Sequence, residues 1–335
     1  MTRDIRIGFA NSVGNTPLIE IESLSAATGC TILGKAEFLN PGGSVKDRAA
    51  LFMVLEAEKA GTLKAGGTIV EGTAGNTGIG LSLVANARGY RSVIVMPSNQ
   101  SQEKIDLLRT LGAEVELTNP APFSSPDNYY HVARKRSEDI ENAFWANQFE
   151  NISNSEAHYC TTAPEIWRQT GGELDGIVMS SGTGGTIGGV TAYLKEQNPQ
   201  ITTYLIDPTG SGLYSYMTTG EFKAEGSSIT EGIGINRATA NFNRARLDGA
   251  FQGTDRQVIE MSQYLLKHDG LFIGSSAALN VVGAVKLARK LGKGHTIATI
   301  LCDGGGRYQS RMYNPDWLAE KGLTPVAKGL EFIDD

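Results

Sequence analysis

NPGGSVKDR, Asn40 to Arg48, sets a lysine where a turn-rich stretch gives way to DRAALFMVLEAEKA, whose apolar spacing reads as an amphipathic helix. Asn40, Pro41, Gly42 and Gly43 supply turn chemistry and Ser44 is a good N-cap, so Lys46 falls in the first helical turn. A cation at the positive end of a helix dipole is slightly misplaced for stability. An amine held there suits a Schiff base with a carbonyl compound, the usual route by which lysine enters covalent catalysis. Taken alone, Lys46 reads as a solvated surface charge. Two further glycine-rich corners change that reading: EGTAGNTG from Glu71 to Gly78 and SGTGGTIGG from Ser181 to Gly189. Each follows an apolar β-like run and opens a helix-like one, and three such corners can face one pocket.

Outward from the lysine box, short β-rich runs alternate with helical periods. TILGKAEF at Thr31, a helix from Lys46, TIVE at Thr68, a helix from Asn76, SVIVMP at Ser92, a helix from Gln102 and AEVELT at Ala113 form the first series. Short connections and helical crossovers are the signature of parallel βαβ units with buried strands. NPAPFSSPDN, Asn119 to Asn128, breaks the pattern as a proline-rich loop, and a polar helix is expected from about Tyr129 to Glu141. After FWANQF the alternation resumes with GIVMSSG at Gly176, a helix after Gly184, TTYLID at Thr202, helices near Arg256 and Ser276, and HTIATILCD at His295. A boundary near Asn151 follows. The long stretch from Asp207 to Thr254 has little periodicity, and a loop of that length is expected to border the site.

The 335 residues exceed what one compact core usually holds, so two domains are expected. A net charge of −6 without a lysine/arginine run, and few aromatics, do not suggest nucleic acid. The apolar stretches are strand-sized and MTRDIRIGFANS lacks a signal peptide's hydrophobic region, so a soluble, cytoplasmic protein without a membrane partner is expected. Cys30, Cys160 and Cys302, odd in number and widely spaced, read as core thiols rather than a disulfide framework. His131, His158, His268 and His295 form no ligand-spaced set, and no metal is expected.

SGTGGTIGG suits a phosphate cradle, because successive backbone N–H groups at a helix N-terminus bind an anion and glycines let it approach; Thr183 and Thr186 add hydroxyls. It is neither a Walker loop nor, at GxGxxxG, the dinucleotide fingerprint, which argues against a nicotinamide oxidoreductase. EGTAGNTG offers Thr73, Asn76 and Thr77 to a small carboxylate, while Asn76 also suits a helix cap. IGSSAA from Ile273 puts Ser275 and Ser276 at another such corner, where N-capping is the plainer role for at least one of them.

In this order, the lysine box, TAGNTG, SGTGGT, EGIG at Glu231 and GSSA resemble the cysteine synthase and cystathionine β-synthase branch of the fold-type-II pyridoxal-phosphate enzymes. The likeness covers nearly the whole chain. It implies an α/β fold with two open parallel-sheet domains, tryptophan synthase β-like, and the cofactor, pyridoxal 5'-phosphate, in the cleft between them. It further implies a smaller, mobile domain at 41–151 carrying the substrate-carboxylate loop, and a larger one made of 1–40 and 152–335 carrying the phosphate cup, in a homodimer. By resemblance, Lys46 forms the internal aldimine and acts as the base at Cα, and Asn76 meets the cofactor's ring oxygen. Gly182, Thr183, Gly184, Gly185 and Thr186 are the phosphate cup. Ser275 meets the pyridine nitrogen, with Ser276 the alternative one residue on. Thr73, Ala74, Gly75, Asn76 and Thr77, with Gln148 and Gly232, bind the small-molecule amino-acid substrate. The activity implied is β-replacement through an aminoacrylate, giving cysteine from O-acetylserine and sulfide. Cysteine desulfhydration to sulfide, pyruvate and ammonia is the alternative, and a non-catalytic sensor or scaffold of the same fold is the reading from another class.

The chain departs from the family pattern at Ala74, where TSGNTG is usual, and at EGIGINRAT, where an apolar, proline-containing segment is usual. Glu231 and Arg237 thereby give the entrance charges that bear on substrate choice. Val45 before the lysine, where threonine dehydratases and threonine synthases tend to be aromatic, argues against those relatives.

Overall fold

The alternation of β-rich runs and helical periods folds into two separate sheets in the computed structural model, which describes residues 5–73, 75–100 and 102–334. Ten strands are formed: β1 (Leu18–Glu20), β2 (Thr31–Ala36), β3 (Thr68–Gly72), β4 (Arg91–Pro97), β5 (Glu114–Thr118), β6 (Ala143–Trp145), β7 (Gly176–Met179), β8 (Thr202–Pro208), β9 (Gly249–Gly253) and β10 (Thr296–Leu301). One sheet has six strands in the order β1-β2-β10-β7-β8-β9, the other four in the order β5-β4-β3-β6. Every pairing is parallel except β1 with β2. Helices cover both faces of such sheets, which is why β3, β4 and β7 read as continuous apolar runs: almost all their residues are buried.

The short strands β1, β6 and β9 are not visible in the sequence. Three to five partly exposed residues at a sheet edge carry too little pattern, and their pairing comes from a neighbour already in place. The polar helix ends at Glu138, slightly before the expected limit, with Asn128 as its N-cap.

The six-stranded sheet packs on helix Ser275–Leu291, whose Leu279, Val282 and Val285 join Val178, Ile206 and Ile297 in the largest core. The four-stranded sheet packs on the lysine-bearing helix Lys46–Lys59 and on helix Asn76–Arg88, where Met53, Val54, Leu81 and Val84 share a second core with Ile69. Arg48, two residues past the lysine, is 1% exposed. Its guanidinium makes paired bonds to Glu37 at 2.8 Å and to Glu165 at 2.7 and 2.8 Å. Lys35 completes this buried network, 2.7 Å from Glu165. Glu37 follows β2 and Glu165 lies on helix Ala163–Gln169, so the network fixes where the lysine helix begins relative to the six-stranded sheet. Removing one partner from such a set costs about 3–5 kcal/mol, because the remaining charges stay buried without compensation.

Of the three thiols, Cys30 is buried, but Cys160 is exposed. Cys160 lies on the π-helical turn His158–Thr162, which turns that side chain outward to Glu156, so the core reading fails there. Among the described residues no helix is long and apolar enough to cross a membrane.

Candidate active site

Parallel strands end on one side of their sheet, and the loops that leave those ends make the crevice in which such folds bind ligands. Four of these loops meet here: Glu37 to Val45 after β2, the Thr73–Gly75 corner after β3, Ser180–Gly184 after β7, and Cys302–Tyr308 after β10. Together they line a cavity of about 550 Å³.

Lys46 lines its wall as the first residue of its helix. The N-cap position is taken by Val45, not Ser44. Ser44 instead accepts from the Lys46 N–H at 3.2 Å, while the Val45 N–H donates to the Cys302 carbonyl at 2.8 Å. The bond from the Val45 N–H ties this loop to the end of β10. Asp47 is buried and accepts from the Gly42 N–H at 2.6 Å; burial pushes its carboxyl up to about 7.

Thr73, Gly75, Asn76 and Thr77 line the same cavity, together with Gln148 and Gly232. Ala74 lies outside the described residues. Thr77 donates to Gln148 Oε1 at 2.6 Å, and Gln148 Nε2 donates to Glu71 Oε1 at 3.1 Å. Glu71 is wholly buried, and burial pushes its carboxyl up to about 8. Asn76 does not cap its helix, where Gly75 holds the cap position without a side-chain bond. Its amide is engaged across the cleft: Nδ2 donates to Asp303 Oδ2 at 2.8 Å, and Arg307 donates to Oδ1.

Gly182 and Thr183 line the main cavity, and with Gly184, Gly185 and Thr186 they surround a small recess that opens beside Lys46. Gly184 has φ +85°, and a Cβ on Gly185 would stand 1.9 Å from Asn154 Oδ1, so this corner admits glycine alone at both positions. The thirteen-residue helix Gly185–Gln197 starts here, with the positive end of its dipole at the recess. Ser180 and Ser181 add buried hydroxyls that have no hydrogen-bond partner. Donors without acceptors at a helix N-terminus fit an anionic group such as a phosphate ester.

Of the two serines at the next corner, Ser276 lines the cavity and Ser275 does not. Ser275 Oγ accepts from the Glu231 N–H at 3.1 Å, which commits it to the neighbouring loop. At the first turn of helix Ser275–Leu291 consecutive side chains point about 100° apart, which is why only one of the two serines lines the cavity in this structure. Asp303 and Arg307 were missed altogether. A charged residue directly after a buried strand, within CDGGGR, was the available signal.

The sequence profile described as "Pyridoxal-phosphate dependent enzyme" matches residues 9–303. The chain belongs to that family. Cysteine synthase of Dictyostelium discoideum is 54% identical, with 93% of this chain and 85% of that protein covered. Cysteine synthase 1 of Emericella nidulans is 53% identical, over 97% of this chain and 89% of that protein. Among solved structures, an O-acetylserine dependent cystathionine beta-synthase from Helicobacter pylori superposes with a TM-score of 0.83 at 34% identity, covering 92% of this chain and 99% of that one. Two α/β sheets with mainly parallel strands are thus the fold of a pyridoxal-phosphate-dependent enzyme, as the resemblance implied. The glycine recess, its orphaned serine hydroxyls and the adjacent amine of Lys46 fit that family's cofactor: an anion cradle and an aldehyde-reactive group on one wall.

Proposed function

We propose that the protein makes cysteine by β-replacement on O-acetylserine with sulfide, the reading the site and the cysteine synthase relatives support best. The observation that carries it is the meeting of Lys46, the 73–77 corner, the glycine recess and Ser276 around one cavity. Bound there, pyridoxal phosphate supplies an electron sink for bond changes at the substrate's Cα and Cβ.

The chain's own residues then divide the work. Lys46 Nζ would hold the cofactor's aldehyde carbon and, as a free amine, would serve as the base for the substrate's Cα proton. Gly182 to Thr186 hold the phosphate through the helix N-terminus, with Ser180 and Ser181 as added donors. Thr73, Ala74, Gly75, Asn76 and Thr77 receive the substrate carboxylate, and Gln148 orients Thr77 for it. Ser276, or Ser275 one residue before it, would offer the ring nitrogen a neutral hydroxyl, a partner that suits loss of a β-substituent. Residues 41–151 form the smaller body that closes on substrate, and the enzyme acts as a cytoplasmic homodimer.

Purified protein is loaded with pyridoxal phosphate and its near-visible absorbance followed as O-acetylserine, then sulfide, is added, with cysteine measured directly. The expected result is a spectral change with O-acetylserine and cysteine on adding sulfide, both abolished in Lys46→Ala. Sulfide and pyruvate from cysteine, with O-acetylserine inert, would overturn the synthetic reading. Sedimentation and cell fractionation test the dimer and its location.

A further inference from the structure

The cavity mouth is crossed by two ion pairs of opposite polarity. Lys104, on helix Gln102–Thr110 of the four-stranded sheet, donates to Glu231 in the loop of the six-stranded side. In return, Arg237 of that loop donates to Glu150, just past β6 of the four-stranded sheet. Both carboxylates are doubly engaged. Glu231 also accepts from Arg311 at 2.9 Å, and Glu150 also accepts from the Ala240 N–H at 2.9 Å.

The Arg237 guanidinium is further seated 4.5 Å from the ring centre of Phe123, 5.3 Å from Phe149 and 5.8 Å from Tyr130. Phe123 belongs to the proline-rich loop, so Arg237 pins that loop over the site. Lys104, Glu231, Arg237 and these rings all line the cavity that holds Lys46. The sequence marked Glu231 and Arg237 as departures from the family pattern, and the structure gives each a partner on the far side of the cleft.

Resting on the cysteine-forming reading above, we propose that these two cross-cleft pairs filter the second substrate by size and charge. Hydrosulfide, a single heavy atom, reaches the Lys46 region without separating either pair. A thiol carried on an amino acid brings a carboxylate and an ammonium group through the mouth and must part at least one pair. Each oxygen of Glu231 and of Glu150 already has a donor, so an incoming ammonium gains there only by displacing or sharing a bond that exists, and the pairs oppose such a thiol by the cost of parting them. Glu231 and Arg237 are specificity-determining residues, acting through Lys104 and Glu150.

The test compares kcat/KM for sulfide with kcat/KM for homocysteine, an amino-acid thiol, on the pyridoxal-phosphate-loaded protein with O-acetylserine as first substrate. Arg237→Met and Glu231→Gln are each expected to raise the homocysteine-to-sulfide ratio about five-fold, the worth of a partly exposed ion pair. Arg237→Lys, which keeps the charge, is expected to stay near the unsubstituted ratio and shows that packing loss is not the cause. Added sodium chloride should raise the ratio in the unsubstituted protein and leave Glu150→Gln/Glu231→Gln unmoved, because screening weakens only pairs that exist. A ratio that holds constant in all variants overturns the filter. A ratio that falls shows that the pairs bind the amino-acid thiol, and also overturns it. Absence of any cysteine from the unsubstituted protein overturns the underlying reading instead, and the filter with it.

Discussion

Asn76 donates from Nδ2 to Oδ2 of Asp303 at 2.8 Å, joining a helix of the four-stranded sheet to the end of β10 in the six-stranded one. Tyr308 donates to the same oxygen at 2.7 Å, and Arg307 bonds both Asn76 and the Gly42 carbonyl. Burial pushes the Asp303 carboxyl up, and the bonds from Asn76 and Tyr308 pull it back. Asp303 is thus the hub through which the lysine loop, the 73–77 corner and the C-terminal segment are held together. Asp303→Ala leaves the buried Tyr308 phenol without its acceptor, at about 1–3 kcal/mol, and releases the half-buried Asn76 amide. A lowered urea midpoint and weaker retention of pyridoxal phosphate are expected. An unchanged midpoint would show that the contact carries no weight.

Ser275 and Ser276 separate two roles at adjacent positions. Ser276→Ala removes the hydroxyl that lines the cavity, and a large loss in kcat with a shifted cofactor absorbance is expected. Ser275→Ala removes the acceptor of the Glu231 N–H, so its effect should fall on KM and on stability, at about 1 kcal/mol. Stopped-flow spectra of the two variants decide it, and the reverse pattern would return the cofactor-facing role to Ser275.

Gly185→Ala drives a methyl into Asn154 Oδ1, whose amide is itself held by bonds to the Gln148 carbonyl and to Thr183 Oγ1. The helix N-terminus must shift to make room, which misaligns the recess. Titration of the apo variant with pyridoxal phosphate is expected to show affinity reduced at least about ten-fold, some 1.4 kcal/mol. Pyridoxal, lacking the phosphate, should lose far less. Equal losses for both would argue that the recess does not hold the phosphate.

Acid sensitivity follows from two buried groups near the lysine helix. Burial pushes His158 down to about 3 from its ordinary 6.5. Burial also acts to raise Glu165, but Arg48 and Lys35 outweigh it and hold the carboxyl at about 2 instead of 4.5. Both folded-state values lie below the unfolded ones, so the unfolded chain takes up protons first as the pH falls. The His158 part is complete above about pH 6.5 and drains away toward about pH 3, and the Glu165 part is complete above about pH 4.5 and drains away toward about pH 2. His158→Gln should remove the upper part of that loss, seen as a urea midpoint that falls less, or rises more, from about pH 6.5 to 5 than in the unsubstituted protein. An undiminished slope there would contradict the account. Glu71, raised by burial to about 8, works with the opposite sign: its contribution declines as pH rises from the ordinary carboxylate value through about 8.

The amino-acid sequence determined the parallel α/β architecture by itself. The buried strands of both sheets are continuous apolar runs, and the helices between them carry their own period and glycine signals. It also marked Lys46, the Glu71–Gly78 corner and the Ser181–Gly189 corner as places to look, because a lysine opening a helix and a run of glycines after a strand are local signals. What only the tertiary structure decided were relationships between distant segments. Asn76 meets Asp303 from 227 positions away, and Lys104 reaches Glu231 across 127. Which of Ser275 and Ser276 lines the cavity turned on one residue of helical phase, in a helix held by the bridge of Ile273 to Gly304 just before it and by the Glu231 N–H on Ser275. Periodicity records whether a side chain is buried, but the identity of its partner depends on how the two sheets stand against each other, and no short stretch of chain carries that.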